Sequence, residues 1–279
     1  MHFNKNIILM KEQKIDLNRT WCTSDIEHLR EQHERGETIP KRILKHVFYK
    51  GNSRIKSAGL NFAYTAEESR IHNEARSPIM FAREMQILNQ QLIPLVLNAD
   101  QEEIVEAHFL RHFNIVALPR QYGMTTAMRC ISLYEAIMEG RSVTIVSPHC
   151  ASSMHNMKML MLMIESMPYW LQSGVIRADS RQIQFESGGV IKCITLSIAA
   201  GSQPDTLIID CIRHDRRNED LLSNQLLVIR TRKGSRCFIC CSSGEDIPQL
   251  YSPIDSDSPY LTYFSTLPIV TEWEIVEVE

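Results

Sequence analysis

The spacing of hydrophobic and polar positions along the chain changes near residue 114. Before that point the pattern predicts helices separated by turns. After it, short apolar runs alternate with helical patterns, and the runs lie at 115–118, 141–148, 205–210 and 236–244. Buried strands that alternate with helices predict an α/β fold with a mainly parallel sheet and right-handed crossovers.

Capping signals place several helices ahead of the first strand. Pro78 suits the first turn of one of them. A helix from Asp100 would stack Val105, Phe109 and Phe113 on one face, at four-residue spacing. The expected capping pairs are Thr23 or Ser24 with Glu27, Thr65 with Glu68, and Asp100 with Glu103.

Three further segments have distinct patterns. Residues 181–196 alternate, turn at Ser-Gly-Gly and alternate again, which predicts a β-hairpin. Residues 154–167 form a methionine-rich helix, for which core packing is the default expectation over a binding surface. The acidic segment 272–279 has a strand pattern, and we expect an edge strand there.

The composition limits the classes of protein to which the chain can belong. The chain has 279 residues, 44% hydrophobic and 23% charged, which favours one large α/β domain with an appendage and argues against disorder. The net charge of −3 gives no global basic excess, so contact with nucleic acid would need a local basic face. We expect no membrane segment, no signal peptide, and eight reduced cysteines in a cytosolic protein, without a disulfide or zinc framework.

The stretch Asn114 to Thr126 carries the clearest candidate chemistry. An apolar strand over 115–118 leads into a turn at 120–123, and Thr125 opens a helix. Strand, tight turn and helix are the setting of a phosphate-binding loop. Gly123 and Thr125 occupy suitable positions, but Met124 stands where such a loop carries lysine.

A nucleotide site also needs an apolar strand that ends in an acid. The strand 205–210 ends in Asp210, but the next residue is Cys211 where a catalytic glutamate would follow. Short strands ending in Asp are common, so these patterns leave open a nucleotide site or an ordinary turn of an α/β core. Lys158 or Lys192 would have to replace the missing cation, and each has a surface or strand position as its simpler explanation.

Read together, the motifs resemble the ATPase half of the large terminase subunit of tailed bacteriophages, the DNA-packaging motor. The matches run in order through most of the chain, at 51–68, 77–84, 98–106, 119–126, 166–175, 206–211 and 238–245. The resemblance implies a P-loop NTPase-like fold of the ASCE/RecA-like class with a helical N-terminal extension. It divides the chain into a lead-in, 1–75, and an ATPase domain, 76–279, without the nuclease domain of the family.

The resemblance also assigns roles to individual residues. ATP would contact Gln101, Arg120, Gln121, Gly123, Met124, Thr125 and Thr126. Arg120 and Asp210 would be catalytic, Thr125 and Asp210 would hold Mg²⁺, and Cys241 and Ser242 would belong to the coupling motif. The departures fall on the chemistry, because Met124 and Cys211 replace the lysine and glutamate that hydrolysis needs most.

Three functions follow as hypotheses. The first is a degenerate packaging ATPase, weak or inactive, that acts as a binding or regulatory module with ATP and Mg²⁺ as cofactors if any nucleotide binds. The second is a working motor subunit whose nuclease is on a separate chain, and the third is a phage structural protein that binds no nucleotide. The resemblance implies viral DNA, portal or capsid proteins, or terminase subunits as partners, a pentameric ring, and a place in the host cytoplasm or at the procapsid portal.

Overall fold

The computed structural model describes residues 16–84, 86–88, 92–110, 113–118, 123–199, 202–210, 229, 232–242 and 275–277. The helices in these ranges are α1 Thr23–Glu34, α2 Lys41–Val47, α3 Ala66–Glu74, α4 Pro78–Arg83, α5 Ala99–Leu110, α6 Met124–Met138, α7 Cys150–Ser166 and α8 Leu196–Ala199. A turn of 3₁₀ helix, Tyr49–Gly51, follows α2.

The strands are β1 Gln86–Leu88, β2 Leu92–Pro94, β3 Phe113–Leu118, β4 Ser142–Ser147, β5 Val175–Ala178, β6 Gln182–Phe185, β7 Val190–Thr195, β8 Thr206–Asp210, β9 Arg236–Ser242 and β10 Ile275–Glu277. β1 and β2 form a separate antiparallel pair. The other eight form one sheet in the order β10-β3-β9-β8-β4-β7-β6-β5.

The large sheet confirms the predicted fold class. Its strands from β10 to β7 are parallel. Among the described connections, α6 joins β3 to β4, α7 follows β4, and α8 joins β7 to β8, as the alternating pattern predicts. β9 lies between β3, which leads into the loop, and β8, which ends in Asp210. The expected acidic strand near residue 275 pairs with β3 at the edge of the sheet.

The predicted hairpin is also confirmed. β6 pairs antiparallel with β7, and Phe185 and Gly189 close the turn with a hydrogen bond of 2.9 Å. Gly189 has a structural reason to be glycine, because a Cβ there would lie 2.0 Å from the carbonyl oxygen of Ala136. The hairpin therefore packs directly against the backbone of α6.

Two of the three expected capping pairs are wrong. Thr65 and Glu68 do form the reciprocal box, but α1 begins after Cys22, and its partner is Asp25, three residues further on. At α5 the reciprocal bonds join Asn98 and Gln101, because an asparagine directly before the first turn competes better for the free N–H groups than Asp100.

The bounds of several helices also differ from those that the sequence predicts. α5 ends at Leu110, and Phe113 belongs to β3 rather than to the helix face on which it was expected. α6 starts at Met124, one residue earlier than expected, and α7 starts at Cys150, before the methionine run. Pro78 lies in the first turn of α4, as predicted.

A large part of the hydrophobic core surrounds α6. Residues 127–137 of that helix are all buried, although the helix carries Arg129, Ser132 and Glu135 among its apolar positions. Met157 and Met163 of α7 are buried, which supports core packing for that face of the helix, whereas Met154 is exposed. No helix in the described ranges is long and apolar enough to span a bilayer.

The described cysteines behave as core residues with two exceptions. Cys130, Cys193, Cys237 and Cys240 are buried and form no disulfide, Cys22 is half-buried and Cys150 is exposed. Cys237 and Cys240 have the spacing C-x-x-C, but they lie in the extended strand β9, where residues three apart point to opposite faces. No group of three or more His, Cys, Asp and Glu side chains in the described ranges comes together as a metal site.

A smaller apolar cluster belongs to the N-terminal lead-in. Trp21, Ile26, Ile43 and Phe48 are buried there together with Tyr169 of the main domain. The boundary predicted after residue 75 stays a prediction, because the two clusters meet through shared residues such as Phe62.

A buried ionic group lies where α5, α6 and the start of β9 meet. The Oε1 atom of Glu135 accepts hydrogen bonds from His108 Nε2 at 3.0 Å and from Arg236 Nη1 at 2.7 Å. His108 and Glu135 are fully buried. Burial alone raises the pKa of Glu135, but the neighbouring His108 and Arg236 outweigh it and lower that pKa to about 2.

Candidate functional site

The candidate site lies at the carboxyl edge of the parallel sheet. β3, β9, β8 and β4 end side by side there, as parallel strands must. Asp210, the last residue of β8, pairs with Cys240 of β9, and Cys241 of β9 pairs with Ala117 of β3. The strand that leads into the loop, the strand of the predicted coupling motif and the strand with the acid are therefore neighbours.

The start of α6 provides the backbone geometry that binds anions. Gly123 has a left-handed conformation with φ of 77°, which glycine adopts without strain. Its carbonyl accepts hydrogen bonds from the N–H groups of Thr126 and Ala127, at 2.9 and 3.2 Å. The first N–H groups of a helix have no partner inside the helix, and together with the helix dipole they favour an anion.

The side chain of Gln101 packs against the turn at Gly123. A Cβ on Gly123 would lie 2.0 Å from Nε2 of Gln101, so the two residues are in direct contact. Gln101 is buried, and its Oε1 atom accepts the Asn98 N–H at 3.1 Å. The structure thus brings two of the predicted ATP-contacting residues together and shows that Gln101 also anchors the start of α5.

Met124 is the first residue of α6, and its side chain is half-buried against the main hydrophobic core. A lysine there would give the loop a mobile positive charge, whereas methionine gives it an apolar contact with the interior. Thr125 and Thr126 follow in the first turn, both half-buried.

Asp210 is tied into a polar network by Asn156 of α7. The Nδ2 atom of Asn156 donates to Oδ2 of Asp210 at 3.0 Å and to Oγ of Ser147 at 3.1 Å. Ser147 is the last residue of β4, so the amide links two neighbouring strand ends. Asn156 is almost fully buried.

Arg129 supplies the positive charge of this network. Its Nε and Nη2 atoms donate to Oδ1 of Asn156, at 3.1 and 2.7 Å. Arg129 follows Thr125 by four residues, so both lie on the same face of α6. Burial lowers the pKa of the Arg129 guanidinium, and the nearby carboxylate of Asp210 acts in the opposite direction. A buried cation therefore faces the acid of the candidate site.

The burial of this region also affects Cys193 of β7. Burial raises the pKa of its thiol to about 12, Arg129 opposes this shift, and Asp210 adds to it. Cys193 is therefore a neutral core residue, and Arg129, Asn156, Ser147 and Asp210 form the polar network of the site.

These residues suit the phosphate part of a nucleotide better than its metal ion. The helix start at Gly123 and Met124 fits a phosphate through its backbone N–H groups. The group around Asp210 offers Mg²⁺ a carboxylate that accepts a hydrogen bond from Asn156, as metal-ligating carboxylates commonly do, but that also lies in the field of the Arg129 cation. A divalent cation would have to approach a carboxylate whose charge is already partly neutralised.

Several predicted site residues lie outside the described ranges, namely Arg120, Gln121 and Cys211. For Cys241 and Ser242 the backbone of β9 is described. Lys158 is exposed on α7, and Lys192 pairs with Gln182 in the hairpin, so neither is the cation found beside Asp210.

Sequence reasoning missed Arg129, Asn156 and Ser147. Two signals could have found them. Arg129 lies one helical turn after Thr125 on the same face, within an otherwise apolar helix. Asn156 is a polar residue in the methionine-rich stretch that was assigned to the core, where a buried amide needs partners.

The described part of the chain forms a mainly parallel α/β sheet, and the helix α6 starts at Gly123 and Met124, after β3 in the chain. No protein-family model matches the chain, and no curated protein matches it in sequence. Solved structures do match, and those with the strongest scores include large terminases and packaging motors of bacteriophages.

Three of these structures illustrate the degree of similarity in sequence and in fold. The large terminase of bacteriophage HK97 is 14% identical with a TM-score of 0.49, and the match covers 65% of this chain and 39% of that one. The large terminase of a thermophilic bacteriophage, in complex with ADP, is 11% identical with a TM-score of 0.42, over 52% and 39%. The bacteriophage Phi-29 viral genome packaging motor assembly is 16% identical with a TM-score of 0.41, over 63% and 53%.

This chain thus spans about two fifths to one half of the length of these proteins. At these identities and TM-scores the matches describe a likeness in the path of the chain. Activity has to be argued from the residues.

Proposed function

We propose that this chain is a terminase-like packaging ATPase domain in which hydrolysis is weak or lost, and that it serves as a binding or regulatory module. The ordered motif resemblance in the sequence supports the terminase part of the proposal. The loss of catalysis is supported by the first turn of α6, where Met124 replaces the phosphate-binding lysine and packs against the core.

The single observation that carries the proposal is the network of Arg129, Asn156 and Asp210. In a working site the acid has to hold a metal ion that neutralises the phosphates. Here the acid is instead bridged by an amide to a guanidinium of the same domain. The network stabilises the strand ends without any ligand, which suits a fold retained for its shape.

Loss of the lysine alone has a large expected effect. A unit charge about 4 Å from a phosphate contributes on the order of 4 kcal/mol at an effective dielectric constant of 20, before the cost of desolvation. Contacts that stabilise the charge of a transferring phosphoryl group commonly change rates by roughly a thousandfold or more. The wild-type chain should therefore release little or no phosphate from ATP.

The test restores the missing groups. The double variant Met124→Lys/Cys211→Glu should gain an ATP-dependent rise in melting temperature, whereas the wild type should show none. A matched control is Met154→Lys/Cys150→Glu, which makes the same two changes at exposed positions of α7. The control should behave like the wild type, because its new charges do not lie at the loop.

Two outcomes would contradict the proposal. DNA-stimulated ATP hydrolysis by the purified wild-type chain would favour the alternative of a working motor subunit. If the restored variant folds but binds no nucleotide, the alternative of a structural protein that binds no nucleotide is favoured.

The proposal also concerns the molecules that this chain binds. A regulatory module would bind viral DNA, a portal or capsid protein, or a terminase subunit, in the host cytoplasm or at the procapsid portal. Because the net charge is −3, we expect a protein partner to be held more firmly than DNA. A pull-down with purified portal and terminase proteins, repeated in high salt, tests this, and sedimentation of the complex tests the proposed pentameric ring.

A further inference from the structure

A cavity lies at the end of α6 that is opposite the candidate site. Its volume is about 570 Å³, and it is open to solvent on one side. One wall carries Lys56, Tyr64 and His72 of the lead-in, and Arg76, the residue directly after it. The opposite wall comes from the end of α6, the segment 170–174 and the turn of the β6–β7 hairpin, where Glu186 lies.

Lys56 is the unusual residue of this cavity. It is 6% exposed, yet its ammonium group makes no hydrogen bond or ion pair with the described residues, and it lies over the ring of Phe62 at 4.4 Å. The backbone fixes it, because its N–H donates to Oε1 of Gln172 at 2.8 Å and its carbonyl accepts from Val175 at 3.0 Å. A buried lysine is costly unless anions offset its charge. The carboxylate of Glu186 acts on this one without an ion pair, and the lysine borders an open cavity.

Further cations face the same space. Arg76 is exposed and makes no ion pair with the described residues, although its backbone carbonyl accepts the hydroxyl of Tyr134. Burial, Arg76 and Lys56 together lower the pKa of His72, which places the three side chains within each other's field. The acid of the cavity, Glu186, is held by the Gly59 N–H at 2.9 Å.

We propose that this cavity is a binding site for a small oxyanion, a phosphate or a carboxylate, held by Lys56 and Arg76. The two cations suit such a ligand, because ammonium and guanidinium groups form strong charge-assisted hydrogen bonds with anionic oxygens. The exposed ring of Tyr64, which contacts His72 at 5.3 Å between ring centroids, gives an aromatic wall for the rest of the ligand. The inference does not depend on the state of the loop at Gly123.

Binding at this cavity should be coupled to a proton. Burial lowers the pKa of Lys56 to about 8, and Glu186 acts in the opposite direction. An anion stabilises the charged ammonium, so binding raises this pKa and takes up protons near pH 8. The groups that face Lys56 are Glu186, His72, Arg76 and Tyr64. The pKa of His72 is lowered by burial and by the nearby cations, so His72 is neutral at that pH.

The site also joins two parts of the chain. The lead-in supplies Lys56, Arg76 follows it directly, and the rest of the main domain supplies the opposite wall. A bound anion would therefore contact both and oppose their separation, with a stabilisation that follows the free ligand concentration.

The experiment measures binding of inorganic phosphate, adenosine monophosphate and succinate to the full chain by calorimetry and thermal shift. We expect saturable binding of at least one of these, weaker at pH 9 than at pH 7 by up to roughly tenfold per pH unit above the lysine pKa. Binding of phosphate but not of succinate identifies a phosphate site, and binding of succinate but not of phosphate identifies a carboxylate site. Near pH 8 the measured heat should change with the ionisation enthalpy of the buffer.

Variants locate the binding. Lys56→Met places an apolar side chain of similar length against Phe62, and it should weaken binding by roughly 10- to 100-fold through the loss of one charge-assisted contact. Arg76→Gln changes an exposed residue and serves as a second variant that preserves folding. The matched control is Lys45→Met, which removes an exposed lysine of α2 and should bind like the wild type.

Two results would overturn this inference. One is the absence of any saturable binding by the wild type with all three anions. The other is binding that is unchanged in both Lys56→Met and Arg76→Gln, which would place the anion elsewhere, for example at the loop.

Discussion

Asn156→Leu tests whether the polar network at the strand ends is a structural unit. Leucine has nearly the shape of asparagine but can neither accept the two Arg129 hydrogen bonds nor donate to Asp210. The variant therefore leaves a guanidinium buried without its acceptor, at a position where Arg129 is 7% exposed.

The expected cost can be worked from these contacts. Removing one partner of a buried charge typically costs about 3–5 kcal/mol, because the remaining charge keeps its desolvation penalty. Arg129→Met removes the charge itself and leaves the Asn156 amide with an unused acceptor, which costs about 1–3 kcal/mol. The double variant Arg129→Met/Asn156→Leu leaves no buried cation, so it should be less destabilised than the sum of the two single variants by about 2 kcal/mol.

The assay is urea unfolding of the four proteins, followed by far-ultraviolet circular dichroism. The free energy of unfolding in water is extrapolated for each, and equal slopes show that the native and unfolded states stay comparable. Asn156→Leu within about 1 kcal/mol of the wild type would refute the reasoning. Strict additivity in the double variant would also refute it, because the two residues would then act independently.

Three further predictions concern other parts of the fold. Glu135→Gln should make the free energy of unfolding fall less steeply as the pH is lowered. A carboxyl with a pKa lowered to about 2 contributes stability that is present above about pH 4.5 and is lost as the pH falls toward 2. Unfolding at several pH values checks this. Gly123→Ala should destabilise the chain, because alanine is strained at a φ of 77° and its Cβ overlaps with Gln101. Adding Gln101→Ala should relieve the overlap but not the backbone strain. Thermal melting of the single and double variants would show this difference. Gly189→Ala should be more damaging than Gly188→Ala. Alanine at Gly188 is strained by a φ of 93° but meets open space, whereas a Cβ at Gly189 lies 2.0 Å from the carbonyl oxygen of Ala136, and the yields and melting temperatures of the two variants compare them directly.

The sequence predicts those parts of the fold that depend on local pattern. The apolar runs of β3, β4, β8 and β9 are long enough to be recognised as buried strands, and their alternation with helices predicts the parallel sheet. The box of Thr65 and Glu68 is recognised because its two side chains lie three residues apart. At α5, two overlapping pairs compete within five residues, and local pattern alone did not separate Asn98–Gln101 from Asp100–Glu103.

The candidate site is predictable in part. Gly123 and Asp210 are recognisable from strand ends and a turn, and the structure places their strands on either side of β9. The link from Arg129 through Asn156 to Asp210 joins three elements that are far apart in sequence. Such a contact depends on the packing of α6 and α7 against the sheet, and one sequence contains no periodic signal for it.

The place of β3 in the sheet has a consequence for the order in which the chain is built. Its two neighbours are β9 and β10, and both come much later in the chain than β3 itself. During synthesis the strand that leads into the loop leaves the ribosome long before either neighbour has been made. Pairing of such distant segments is slow, because a large loop has to close first. The turn at Gly123 should therefore be among the last parts of the nascent protein to reach its final geometry.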